Sequence, residues 1–193
     1  LGPEHALGCV AYPAARVVEP GVVEHVYGTR FSLGEPDGSL SARVQRVAAM
    51  LVAAGLEAPV RQNIRSEVWT KLALNAACNP VSLLTGGTLG EMIGDAQVAA
   101  VLEALMHETL GVAASLGVRV PLQPRQLLDL TRPLGIHKTS SLQDLEAGRP
   151  VELEPVAGAV IELGKLRKVP TPTLAAVLAL ARLRVQLAAG GAS

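Results

Sequence analysis

Aromatic side chains are almost missing from this sequence: one Trp, two Tyr and one Phe make up 2% of 193 residues. Its core must therefore be built from Leu, Val and Ala. No sign of charge prevails, because 17 basic residues balance 17 acidic ones, and this removes the usual electrostatic footprint of a nucleic-acid binder. Cys9 and Cys78 form neither a CxxC pair nor a metal-ligand spacing. Two lone thiols without a secretory signal predict a reducing, cytoplasmic setting. His5, His25, His107 and His137 are scattered, so no metal site is expected. No apolar run approaches the ~20 residues of a membrane span, which predicts no membrane partner. There is no GxGxxG, no HExxH and no GxSxG. Gly86, Gly87 and Gly90 follow a helix rather than a strand, which argues against a phosphate loop. Apolar residues at 49% predict a globular chain. It opens on Leu1, not Met, in what reads as mid-element, as a fragment of a longer protein would.

Residues 6–12 form a short apolar run that predicts a buried strand. Pro20-Gly21 is a turn signal. Val22, Val23, Val26 and Tyr27 suggest a second strand and Phe31 to Leu33 a third, with Gly28 as the hairpin break between them. An amphipathic helix is expected from about Leu40 to Ala54, with Val44, Val47, Ala48 and Leu51 inward and Arg43 and Arg46 outward. Gly55 ends it, and residues 56–60 suggest a last short strand. Such a set is a poor free-standing domain whose edges call for a partner segment.

From Ile64 onward the pattern is helical. A first helix runs to about Asn79, and Thr85-Gly-Gly-Thr88 breaks the chain. Asp95 is the expected N-cap of a long helix with Val98, Val101, Leu102, Leu105, Thr109 and Val112 as its inner stripe. Helices are also expected near Arg125–Leu130, from Thr139 to Ala147 and over 154–167. A last helix opens at Thr171-Pro172 and buries Leu174, Val177, Leu178, Ala181 and Val185.

Within the first helix, Lys71, Asn75 and Asn79 fall at i, i+4 and i+8, on one stripe. Their neighbours Val68, Trp69, Leu72, Ala73, Leu74, Ala76, Ala77 and Cys78 are apolar, so the helix is largely buried and the three polar groups face a cleft or a partly dry pocket. A lysine there suits proton transfer, and two amides suit a small polar ligand. The other reading is that Lys71 extends to water and Asn79 before Pro80 simply ends the helix. A second candidate is 137–152. Ser140 and Gln143 have capping-box spacing; a capped helix start is also an anion site. Glu152, from position alone, reads as a solvated charge or salt-bridge partner rather than a catalytic group.

Lys71-Leu72, Asn75 and Asn79-Pro80, followed by Ser140-Ser141-Leu142-Gln143-Asp144, Gly148-Arg149 and Val151-Glu152-Leu153-Glu154, resemble the C-terminal two-thirds of the ketopantoate reductase (2-dehydropantoate 2-reductase) family. Leu1–Glu4 resembles the segment after that family's Gln-Asn-Gly, and Ala14-Ala15-Arg16 matches a cofactor-side turn. The resemblance implies an α+β, mainly α fold. Residues 1–62 would be the remnant of an NADP-binding Rossmann domain. Residues 63–193 would be a helical substrate-binding and dimerisation domain like the C-terminal domain of 6-phosphogluconate dehydrogenase, with the active site in the cleft between the two. It implies reduction of 2-dehydropantoate to (R)-pantoate by NADPH, on the route to pantothenate and coenzyme A, in a homodimer. Lys71 would be the general acid, Asn75, Asn79 and Ser140 would bind substrate, Ala15 would touch the cofactor through its backbone, and Glu152 would orient cofactor and lysine. The family's nucleotide fingerprint belongs upstream of Leu1. Leu89 stands where some members carry a third substrate asparagine, so that Thr88 or a water substitutes, or the substrate differs. The rival readings are a reductase of another 2-oxoacid and a non-catalytic helical assembly module.

Overall fold

The structure, a computed structural model, describes residues 2–132 and 135–190; Leu1, where the Leu1–Glu4 match begins, lies outside them. Strand β1 (Gly8–Ala11) pairs antiparallel with β4 (Phe31–Gly34), Cys9 opposite Leu33. Strand β2 (Ala14–Glu19) pairs with β3 (Val22–Tyr27). The expected pairing of 22–27 with 31–33 about Gly28 does not form. Pro20-Gly21 joins β2 directly to β3, with Gly21 at φ 83°, and so short a turn makes the flanking segments each other's partners. Ala14-Ala15-Arg16 is consequently strand, not turn. Residues 56–60 form no full strand: Glu57 and Val60 make isolated parallel bridges to Arg30 and Leu33.

Helix α1 (Ala42–Ala53) starts at Ser41, whose side chain accepts the Val44 N–H, a cap that satisfies one otherwise unpaired donor. Val44 and Ala48 are buried with Leu33 and Ala58, whereas Val47 is exposed. Arg43, expected to face solvent, instead grips the buried Glu35. Its Nε donates to Oε1 at 2.7 Å and its terminal nitrogen to Oε2 at 2.5 Å. It also donates to the carbonyls of Glu4 and Ala6, tying the start of the chain to α1. The Arg43 guanidinium and the Ser41 hydroxyl pull the Glu35 carboxyl from its ordinary 4.5 down to about 2. A depressed carboxyl stabilises the fold above the unfolded value, and that contribution is lost as pH falls from about 4.5 through about 2. Chemical denaturation between pH 5 and 2 is expected to show a steeper loss in the native chain than in Glu35→Gln.

The chain divides into two compact units, Leu1–Val68 and Trp69–Ser193. The change falls inside helix α2 (Ile64–Thr85). The helix does not end at Asn79 but continues through Pro80. A proline inside a helix costs about 3 kcal/mol. Continuing it buries Val81, Ser82 and Leu83, which at roughly 1.5–3 kcal/mol per large apolar side chain outweighs that cost.

Among the described residues the second unit's regular elements are helical: α3 (Leu89–Gly94), α4 (Ala96–Ser115), α5 (Pro124–Thr131), α6 (Ser140–Glu146), α7 (Ala159–Arg167) and α8 (Pro172–Gly190). Asp95 caps α4, accepting from the N–H groups of Gln97 and Val98. Helix α4 packs against α3, α5, α7 and α8; its buried face is Ala99, Leu102, Leu105, Met106, Thr109, Val112 and Ala113, while Val101 is exposed. The N-terminus of α8 is received by Glu108 of α4, whose carboxylate accepts the Thr173 and Leu174 N–H groups at 2.9 and 2.8 Å. Leu174, Leu178 and Ala181 are buried, with Val177 and Val185 half-buried. Residues 154–167 split into a π-helical turn, Glu154–Gly158, and α7. By length and composition α4 and α8 could each cross a membrane, contrary to the reading from apolar runs. Core helices of globular proteins have the same composition, and the buried side of α4 lies in the middle of this core.

Candidate active site

The two stretches singled out in the sequence meet inside the helical unit. Lys71 and Asn75 are half-buried on α2, and Asn79, one turn further, is buried at 6% exposure. Three residues beyond Asn79, the Ser82 hydroxyl donates to the Asn79 carbonyl at 2.9 Å and lies 2.5 Å from the Thr139 hydroxyl. Ser82 has one proton, and the Asn79 carbonyl takes it. Thr139 must then donate to Ser82, while accepting the Leu142 N–H at 3.2 Å. This chain of three hydrogen bonds, with Ser82 fully buried, holds the C-terminal half of α2 against the start of α6.

Ser82→Ala should strand the Thr139 hydroxyl without its acceptor in the interior. The expected cost is about 1–3 kcal/mol, read as a lower denaturant midpoint at unchanged m-value.

The cap of α6 differs from expectation. Thr139, not Ser140, is the N-cap, and Gln143 turns its side chain to the Lys138 carbonyl rather than closing a capping box. With threonine taking the cap position, Ser140 is left as the first helical residue with its side chain exposed. A third segment joins here: the N–H groups of Leu89 and Gly90 donate to the carbonyls of His137 and Gly135 at 3.0 and 2.7 Å. A Cβ at Gly90 would stand 2.7 Å from the Gly135 oxygen, so this backbone approach requires glycine.

Leu89 packs its side chain against the apolar core. Thr88 is engaged at the start of α3: its hydroxyl accepts the Glu91 N–H and donates to the Glu91 carboxylate. The hydroxyl expected to stand in for a missing asparagine is thus occupied in a capping box. Helix α3 itself is absent from the sequence reading, although Thr88-x-x-Glu91 has the spacing that signals it.

The remaining predicted residues lie apart from this cluster or in the other unit. Glu152 is exposed, in the link between α6 and the π-turn. Ala15 is exposed in β2 opposite His25, beside a register irregularity between Ala14 and Ala15. Cys78, buried on α2, has its thiol pushed up to about 12 by desolvation, so it is no nucleophile at neutral pH. Among the described residues nothing forms the strand, glycine turn and helix N-terminus that receive a dinucleotide pyrophosphate. Such a cofactor does not fit the described residues alone.

Residues 63–185 match the model of the ketopantoate reductase PanE/ApbA C-terminal family. The chain belongs to the ketopantoate reductase family. It is similar to the 2-dehydropantoate 2-reductase of Mesorhizobium japonicum, 49% identical over 182 residues, covering 94% of this chain and 56% of that protein. The 2-dehydropantoate 2-reductase of Halobacterium salinarum is 31% identical over 181 residues, covering 92% of this chain and 58% of that protein. The crystal structure of 2-dehydropantoate 2-reductase from Methylococcus capsulatus superposes with a TM-score of 0.85 at 31% identity, over 94% of this chain and 63% of that one. The chain spans a little over half the length of the curated relatives it matches. The α+β, mainly helical fold is that of the ketopantoate reductases.

Proposed function

We propose that the protein carrying this chain is an NADPH-dependent reductase that converts 2-dehydropantoate to (R)-pantoate. The observation that supports it is the Lys71–Asn75–Asn79 stripe of α2, joined through Ser82 and Thr139 to the start of α6. In this reading the Lys71 ammonium donates a proton to the carbonyl oxygen as the ketone becomes an alcohol. Asn75 and Asn79, on the same side of the helix, hold the substrate's hydroxyl and carboxylate ends, and the exposed Ser140 hydroxyl contributes a donor to the carboxylate. Ala15 meets the cofactor through its backbone and Glu152 orients cofactor and lysine. The nicotinamide cofactor supplies the hydride. Residues 1–62 are the end of a nucleotide-binding domain and 63–193 the substrate domain of a cytoplasmic homodimer. The exposed Leu180, Leu183 and Leu187 along α8 suit a subunit contact, testable by light scattering.

The deciding experiment uses the gene extended upstream to its first in-frame Met, mixed with NADPH and 2-dehydropantoate. Rapid, substrate-dependent cofactor oxidation is the expected result; none with this or any other 2-oxoacid would refute the reading. One observation favours a second substrate: Leu89 turns into the core and Thr88 is tied to Glu91. Turnover of another 2-oxoacid but not 2-dehydropantoate would select it. Because the described residues form no pyrophosphate cradle, the isolated 193 residues should bind NADPH weakly. A fluorescence titration that saturates at micromolar cofactor would contradict this.

A further inference from the structure

A fourth polar residue continues the α2 stripe: Glu67 lies four residues before Lys71, at the same spacing that separates Lys71, Asn75 and Asn79. Three donors from three separate segments converge on its carboxylate. Oε1 accepts the Tyr12 hydroxyl at 2.9 Å and the fully buried Ser32 hydroxyl at 2.5 Å, while Oε2 accepts Arg61 Nε at 3.1 Å. Tyr12 follows β1, Ser32 lies on β4 and Arg61 stands just ahead of α2. Burial and the neighbouring Glu67 push the Tyr12 hydroxyl up to about 12, so it remains a donor across the working pH range. The Arg30 guanidinium lies 3.9 Å from the centre of the Tyr12 ring and restrains it from the other side. A carboxylate offers about four acceptor positions, and three of those on Glu67 are filled. This is more than anchoring a helix end requires, since one side-chain oxygen commonly does that.

We propose that Glu67 is a positioning residue for the Lys71 ammonium; this rests on the reading of Lys71 as the general acid. Side chains on a helix lean toward its N-terminus, so a lysine lies over the turn that precedes it. Glutamate four residues before lysine is the favourable order for that pair. The clamp fixes both the charge at Glu67 and the first turn of α2, and through the helix it sets where the lysine's proton donor stands. The consequence falls on the step in which the proton moves, because an acid misplaced by an ångström loses rate rather than substrate affinity.

The test is steady-state kinetics on the full-length protein with NADPH and its 2-oxoacid, beside thermal unfolding. Glu67→Gln is expected to lower kcat per folded molecule on the order of 10- to 100-fold, with KM for the oxoacid within about threefold; the unfolding midpoint falls modestly, because the amide keeps one acceptor oxygen for Tyr12 and Ser32 but cannot accept from Arg61. Glu67→Asp should restore part of the loss. The double variant with Lys71→Ala should be no slower than Lys71→Ala alone, because the two residues act as a unit. A lowered midpoint with normal kcat per folded molecule, or fully additive losses, overturns the inference. If Glu67→Gln does not fold, Ser32→Ala removes one donor and keeps the charge; a severalfold loss of kcat supports the inference and normal kcat overturns it. Activity surviving in Lys71→Ala defeats the general-acid reading and this inference with it. An inactive Lys71→Ala beside a fully active Glu67→Gln defeats this inference alone.

Discussion

Lys71→Ala in the full-length protein is expected to reduce kcat by on the order of 10²- to 10⁴-fold, the range lost when a general acid is removed, which is the role proposed for Lys71. At about 1.4 kcal/mol per decade this is a loss of roughly 3–5 kcal/mol of transition-state stabilisation. Carbonyl reduction builds negative charge on oxygen as hydride arrives, and the ammonium is the group on the α2 stripe able to neutralise it by proton donation. Asn75 and Asn79 can donate hydrogen bonds but hold no labile proton. Stability should change little, because Lys71 is only half-buried. The measurement is NADPH oxidation under saturating substrate, with circular dichroism to confirm folding. Activity within tenfold of the native protein would remove Lys71 from the proton-donor role.

Leu102→Ala is expected to cost about 2–5 kcal/mol, the range for deleting a fully enclosed leucine and leaving its cavity. Leu102 is 0% exposed, near the middle of α4, the helix against which α3, α5, α7 and α8 all pack. The melting temperature of the helical unit should fall by roughly 10 °C. Leu130→Ala, at an exposed site on α5, should change stability by no more than about 0.5 kcal/mol. Equal effects at the two positions would mean that the core does not centre on α4.

The α2 stripe was legible because helical spacing is a local property. Lys71, Asn75 and Asn79 share a stripe in the structure as their intervals require, and Asp95 caps α4 as its place before an apolar run suggests. Glu67 was equally legible by spacing and was missed, because a glutamate in the first turn of a helix reads as an ordinary dipole partner. The Ser82–Thr139 bond was not legible: 57 residues separate the two hydroxyls, and neither sits in a pattern that names the other. Local rules also mispaired β3, since strand runs announce their propensity but not their partner.

The sequence by itself determined where most of the helices lie, most of their apolar positions and that three polar residues share one side of α2, because these depend on intervals of a few residues. The family motifs are likewise carried in its order of residues. Only the tertiary structure decided that α2 runs through Pro80, that Arg43 turns inward to Glu35, that Thr139 rather than Ser140 caps α6, and that Tyr12, Ser32 and Arg61 meet on Glu67. Each of these sets a local preference worth one to a few kcal/mol against burial or a charged hydrogen bond of similar size. The outcome depends on which distant residue arrives to supply it.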